Sequence, residues 1–136
     1  MDAERAQPLV LSVGEDLFFS TRIETVAREC SIRLRQAADL AQLDQCLEAE
    51  VPNLIIVDLN SKTCAPIDSI RKIKRSSRLA GVPVIGFFSH VQVDLERAAR
   101  AAGCDQILAR SAFSLKLHRI LSSGGIIKSV ENDATA

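Results

Sequence analysis

The sequence carries no excess of charge. Seventeen Lys plus Arg balance seventeen Asp plus Glu, so the formal net charge is zero. Bulk electrostatics therefore gives no sign of a nucleic-acid or strongly acidic partner. No apolar run approaches the ~20 residues needed to cross a bilayer. The opening residues Met1-Asp2-Ala3-Glu4-Arg5 are charged and lack the apolar stretch of a secretion signal. The expected location is the cytoplasm. No C-x-x-C pair joins the four cysteines, and His90 and His118 lie far apart, which argues against a disulfide framework or a zinc site. Cys30, Cys46 and Cys104 fall on or near apolar helix faces, whereas Cys64 falls in a predicted loop and is expected to be the more reactive thiol. No G-x-G-x-x-G or P-loop sequence occurs, so a dinucleotide or nucleoside-triphosphate site lacks its main feature.

What is present is a regular alternation. The 136 residues suffice for one domain, and 47% hydrophobic with 25% charged residues suits a globular protein. Leu9–Val13 reads as a short apolar strand broken by Gly14-Glu15-Asp16. Phe19, Ile23, Val26, Ala27 and Cys30 recur at helical spacing over roughly 18–30. At most one of Phe18 and Phe19 can face inward. Ile32, Leu34 and Gln36 alternate with Arg33 and Arg35, as in a strand near a sheet edge. Asp39 and Gln42 form a capping box for a second helix striped by Leu40, Leu43 and Leu47.

Leu54-Ile55-Ile56-Val57-Asp58 reads as a strand buried on both faces. After a loop over 59–65, Pro66 suits the first turn of a third helix buried through Ile67, Ile70 and Ile73. Its Arg71, Lys72, Lys74 and Arg75 make a solvated basic face rather than a nucleic-acid site. Val84–Phe88 is a fourth strand, and His90 opens a fourth helix that Gly103 closes in a left-handed cap. Gln106–Ala109 is a fifth strand, and Ser111 caps a fifth helix that faces inward through Phe113, Leu117, Ile120 and Leu121. The expected organisation is a tail over 1–8, one domain over 9–123 and a loose tail over 124–136.

Five strands alternating with five helices predict an α/β fold: a five-stranded parallel sheet, doubly wound and flavodoxin-like, in strand order 2-1-3-4-5. Ligand sites of such sheets lie at the carboxyl ends of the strands, beside the switch point. The first strand delivers Glu15 and Asp16 there, and the third delivers Asp58. Crowded carboxylates call for a compensating cation, and Mg²⁺ with its oxygen ligands fits. Alternatively, Glu15 and Asp16 decorate a helix start and Asp58 turns the chain. Acids in Gly14-Glu15-Asp16-Leu17-Phe18 would repel a phosphate, which disfavours a flavin site and an enzymatic role.

From about Leu9 to Leu121 the chain resembles the receiver domains of two-component response regulators, of the chemotaxis-receiver type. Val13-Gly14-Glu15 matches the acidic pair, Leu54–Asn60 the phosphoacceptor strand, Pro83–Ser89 the switch strand, and Ala102-Gly103-Cys104-Asp105-Gln106 the turn before the last strand. The resemblance implies phosphate transfer from a histidine kinase to Asp58, with Mg²⁺ held by Glu15, Asp58 and the Asn60 carbonyl. It implies phosphate contacts from the Phe88–Ser89 region and Arg110. A partner face follows around His90 and Ile107, with the fourth and fifth helices as a homodimer surface.

Six positions depart from the family pattern. Gly14 replaces the first acid, and Glu15 replaces an Asp. Phe88 replaces a Thr or Ser, with Ser89 one place later and so on the opposite face of a strand. Arg110 replaces a Lys, and Ile107 replaces the switch aromatic. Lys62 also stands where a proline is usual. Two readings stay open. One is an atypical single-domain receiver phosphorylated on Asp58, without an effector domain. The other is a pseudo-receiver that serves as a phosphorylation-independent protein-binding scaffold.

Overall fold

A computed structural model describes residues 7–88, 90 and 92–123. Five strands, β1 (Leu9–Val13), β2 (Arg33–Ala37), β3 (Leu54–Asp58), β4 (Val84–Phe88) and β5 (Gln106–Ala109), alternate with α1 (Leu17–Glu29), α2 (Leu40–Ala49), α3 (Pro66–Arg75), α4 (Val93–Ala102) and α5 (Arg110–Ser122). All strand pairs are parallel, in the order β2-β1-β3-β4-β5. This is the doubly wound sheet that the alternation predicts. The expected C-terminal tail and Ser89 lie outside the described residues.

The central strands β1, β3 and β4 are buried at every position, as continuous aliphatic runs require. Alternate side chains feed two core layers. Val10, Ile56, Ile85, Phe87 and Leu108 pack under α1 and α5 with Phe19, Ile23, Phe113 and Leu117. Leu11, Val13, Val57 and Phe88 face α2, α3 and α4 with Leu43, Ile70, Ile73 and Ala99. In the first layer Phe87 stacks on Phe113 with ring centroids 4.3 Å apart, and Phe19 lies 4.6 Å from Phe87.

Helix ends follow the local chemistry, with four corrections. Asp39 accepts the Gln42 amide at 2.9 Å, but Gln42 Oε1 reaches Ala38 N rather than that of Asp39. Leu40 is exposed, because the first turn of α2 projects beyond the layer that Leu43 and Leu47 fill. Ser111 lies inside α5, which starts on Ala109 without a side-chain cap. His90 precedes α4 rather than opening it; Gln92 is the N-cap. Gly103 ends α4 with φ 109°, the left-handed cap that the sequence predicts.

The expected reactivity of Cys64 is also overturned. Its side chain is wholly buried, with Sγ directed at Ala37 O, because the loop folds down onto the α2–α4 layer. Cys104 is buried too, and burial pushes its thiol up to about 11.

Candidate functional site

The carboxyl ends of β1 and β3 open into a cleft of about 790 Å³ lined by Glu15, Asp16, Asp58, Asn60, Ser61, Lys62, His90 and Arg110, among others. Parallel pairing of β1 with β3 matches Val13 with Val57, so the two following segments leave the sheet side by side. That register places Glu15 and Asp58 at one rim of the sheet.

Asp58 is 6% exposed. Its Oδ1 accepts the Asn60 amide at 2.9 Å, the one hydrogen bond of its carboxylate among the described residues. Burial raises its pKa above the ordinary carboxylate value. The Asn60 amide opposes that shift, while the charges of Glu15 and Asp16 add to it.

Gly14 closes the other side. Its φ is +151°, and a Cβ built there would meet Asp58 Cβ at 2.8 Å and Oδ2 at 3.5 Å. The backbone conformation and the close approach both require glycine. A side chain at position 14 is therefore excluded sterically.

Glu15 has a different environment. Its Oε1 accepts Ser61 Oγ–H at 2.6 Å, and Oε2 accepts the Lys62 amide at 2.8 Å. Partial burial pushes its pKa up, but the bonds from Ser61, Lys62 and Thr63 outweigh it and bring the carboxyl down to about 2. Asp16 is the N-cap of α1, with Oδ1 accepting the amides of Phe18 at 2.8 Å and Phe19 at 3.3 Å.

Arg110 borders the cleft but forms no ion pair with Asp58, Glu15 or Asp16. Its guanidinium lies over Phe18 and Phe19, 5.5 and 5.3 Å from the ring centroids. Phe19 is buried and Phe18 is 59% exposed, so one ring faces inward as expected. His90 donates its amide to Asn60 Oδ1 at 3.2 Å and is exposed.

Phe88 does not line the cleft. It is buried in the layer beneath α4, and Ile107 packs against the same layer half-buried. The structure thus brings Glu15, Asp58, Asn60, His90 and Arg110 together and leaves Phe88 and Ile107 in the core. Sequence reasoning missed Ser61 and the Lys62 amide as partners of Glu15. A serine in a loop and a main-chain donor carry no periodic signal.

Several solved structures share this architecture. A putative response regulator from Chloroflexus aurantiacus superposes with TM-score 0.76 at 17% identity, over 87% of this chain and 97% of that one. The fold is that of response-regulator receiver domains. The chemotaxis response regulator CheY4 of Vibrio cholerae has the same receiver fold, with TM-score 0.75 at 14% identity, covering 87% of this chain and 98% of its own. The receiver domain of a sensor histidine kinase from Pseudomonas aeruginosa, with a magnesium ion coordinated in its active-site cleft, gives TM-score 0.74 at 22% identity, covering 86% and 96%. No family model and no curated protein matches the sequence. Among the described residues, no helix is long and apolar enough to cross a membrane.

A divalent ion at this rim would draw on Glu15, Asp58 and the Asn60 carbonyl, with few further carboxylates in reach. Gly14 offers no carboxylate, Asp16 caps a helix, and the β3–α3 loop orients both oxygens of Glu15. Among the described residues, no three of His, Cys, Asp and Glu gather closely enough to hold a metal.

Proposed function

We propose that this chain is a receiver-fold module of two-component signal transduction that acts by binding a partner protein, a histidine kinase or another signalling protein, without a phosphorylation switch. The isolation of Asp58 carries this reading. Among the described residues its carboxylate accepts one hydrogen bond, from Asn60, while Glu15 points at the loop, Arg110 at the phenylalanines, and Phe88 into the core. Phosphoryl transfer depends on groups placed to within an ångström, and none of these helpers addresses the Asp58 oxygen that would be left to react.

The partner face in this reading includes His90 and the outward residues of α4 and α5. Val93 is 60% exposed and Leu115 is 86% exposed. Homodimerisation through the same face belongs to the proposal and is read by sedimentation of the purified protein.

A second reading keeps Asp58 as phosphoacceptor. It is favoured by Oδ2, which has no hydrogen bond among the described residues at the wall of an open cleft. Partner affinity of wild type and Asp58→Asn separates the two readings. Equal affinity, with and without a phosphodonor, supports the scaffold; a large change on substitution or phosphodonor treatment supports the switch.

A further inference from the structure

Side chains tie together the segments that follow β1, β2 and β3. Glu15, just past β1, reaches Ser61 and Lys62 just past β3. Ser61 Oγ also accepts the Cys64 amide at 3.1 Å, so the hydroxyl passes the tie along the loop. Thr63 Oγ1 donates to Ala38 O at 2.7 Å, joining the same loop to the segment after β2. Ser69 Oγ, buried on α3, donates to Cys64 O at 2.6 Å and secures the far end. Residues 61–64 are thus held from the β1 side, the β2 side and α3.

We infer that Glu15 is a clasp for the β3–α3 loop rather than a cation ligand: its carboxylate joins the β1–α1 loop directly to Ser61 and Lys62 and fixes the loop in one conformation without a divalent ion. The inference rests on the receiver fold and concerns how its cleft is closed. Turning Glu15 toward a cation would break its two charge-assisted bonds, to the Ser61 hydroxyl and the Lys62 amide, and leave both donors to water. The cation would gain little in return, because Gly14 has no room for an acid and Asp16 is committed to the α1 amides. The longer Glu suits this role, since its added methylene extends the carboxylate toward the neighbouring loop.

Two measurements on the intact chain test the inference. The first adds Mn²⁺ to isotope-labelled wild type and reads paramagnetic broadening of backbone amides. The clasp predicts no broadening centred on Glu15, Asp58 and Asn60; localised broadening there at stoichiometric Mn²⁺ would overturn it. The second reads hydrogen exchange at the Lys62 and Cys64 amides in wild type, Glu15→Gln and Ser61→Ala. Glu15→Gln replaces a charged acceptor of the Lys62 N–H with a weaker neutral one, so exchange at Lys62 should quicken severalfold, with the β3 amides unchanged. Ser61→Ala should quicken exchange at Cys64. Unchanged exchange in both variants would sink the clasp. Phosphorylation of Asp58 without localised Mn²⁺ binding would instead refute the switch-free function and leave the clasp intact.

Discussion

Ser61 Oγ lies 2.6 Å from Glu15 Oε1, across 46 positions of sequence. The bond takes a carboxylate expected to face Asp58 and turns it onto the loop that follows Asp58. It joins the segment after β1 directly to the segment after β3.

Acid should expose the clasp. The folded pKa of Glu15, about 2, lies below its ordinary value of 4.5. Its contribution to stability is therefore fully present above about pH 4.5 and is lost as the pH falls toward 2. The carboxylate is half-exposed, so the contribution after solvent screening is about 1 kcal/mol. Urea unfolding of Glu15→Gln should show that loss at neutral pH, and the gap to wild type should narrow across this acid window.

Asp58 has the opposite sign. Burial raises its pKa, so the ionised form opposes folding at neutral pH and protonation relieves it. Asp58→Asn should raise the thermal midpoint by a few degrees at neutral pH. The advantage should shrink on acidification through the folded pKa of Asp58. A lower midpoint for Asp58→Asn would mean that the charge is held by a partner group.

Restoring the missing acid should not restore a metal site. Gly14→Asp places a Cβ against Asp58 Cβ at φ +151° and should cost about 2 kcal/mol or more. Denaturant midpoints measured with and without Mg²⁺ should shift equally. Stabilisation of this variant by Mg²⁺ would contradict the steric argument.

Thiol labelling should follow burial rather than loop position. Cys30 and Cys46 are half-buried, whereas Cys64 and Cys104 are buried. Peptide mapping after brief alkylation of the native protein should find label on Cys30 and Cys46 first. Early label on Cys64 would place its loop away from the α2–α4 layer.

The architecture was legible in the sequence because its signals are long-range periodicities. Leu54-Ile55-Ile56-Val57 has no polar face and can only be a central strand, and Ile70 with Ile73 marks one side of a helix. The rim position of Asp58 followed from strand order. The orientation of the side chains around it did not. Whether Glu15 faces Asp58 or Ser61 depends on a hydroxyl 46 positions away, and Arg110 chooses between an anion and two rings according to what α1 presents. The motif position of Phe88 points to the site, yet its alternation with Phe87 assigns it to the opposite core layer. The cap assigned to Ser111 failed because α5 begins at once after β5, leaving no turn for a capping side chain.

The most direct test is intact-mass analysis after incubation with a small-molecule phosphodonor and Mg²⁺, under conditions that label an intact receiver. A receiver fold without a working phosphorylation site predicts wild type at its unmodified mass. A phosphate adduct on wild type that disappears in Asp58→Ala would contradict it.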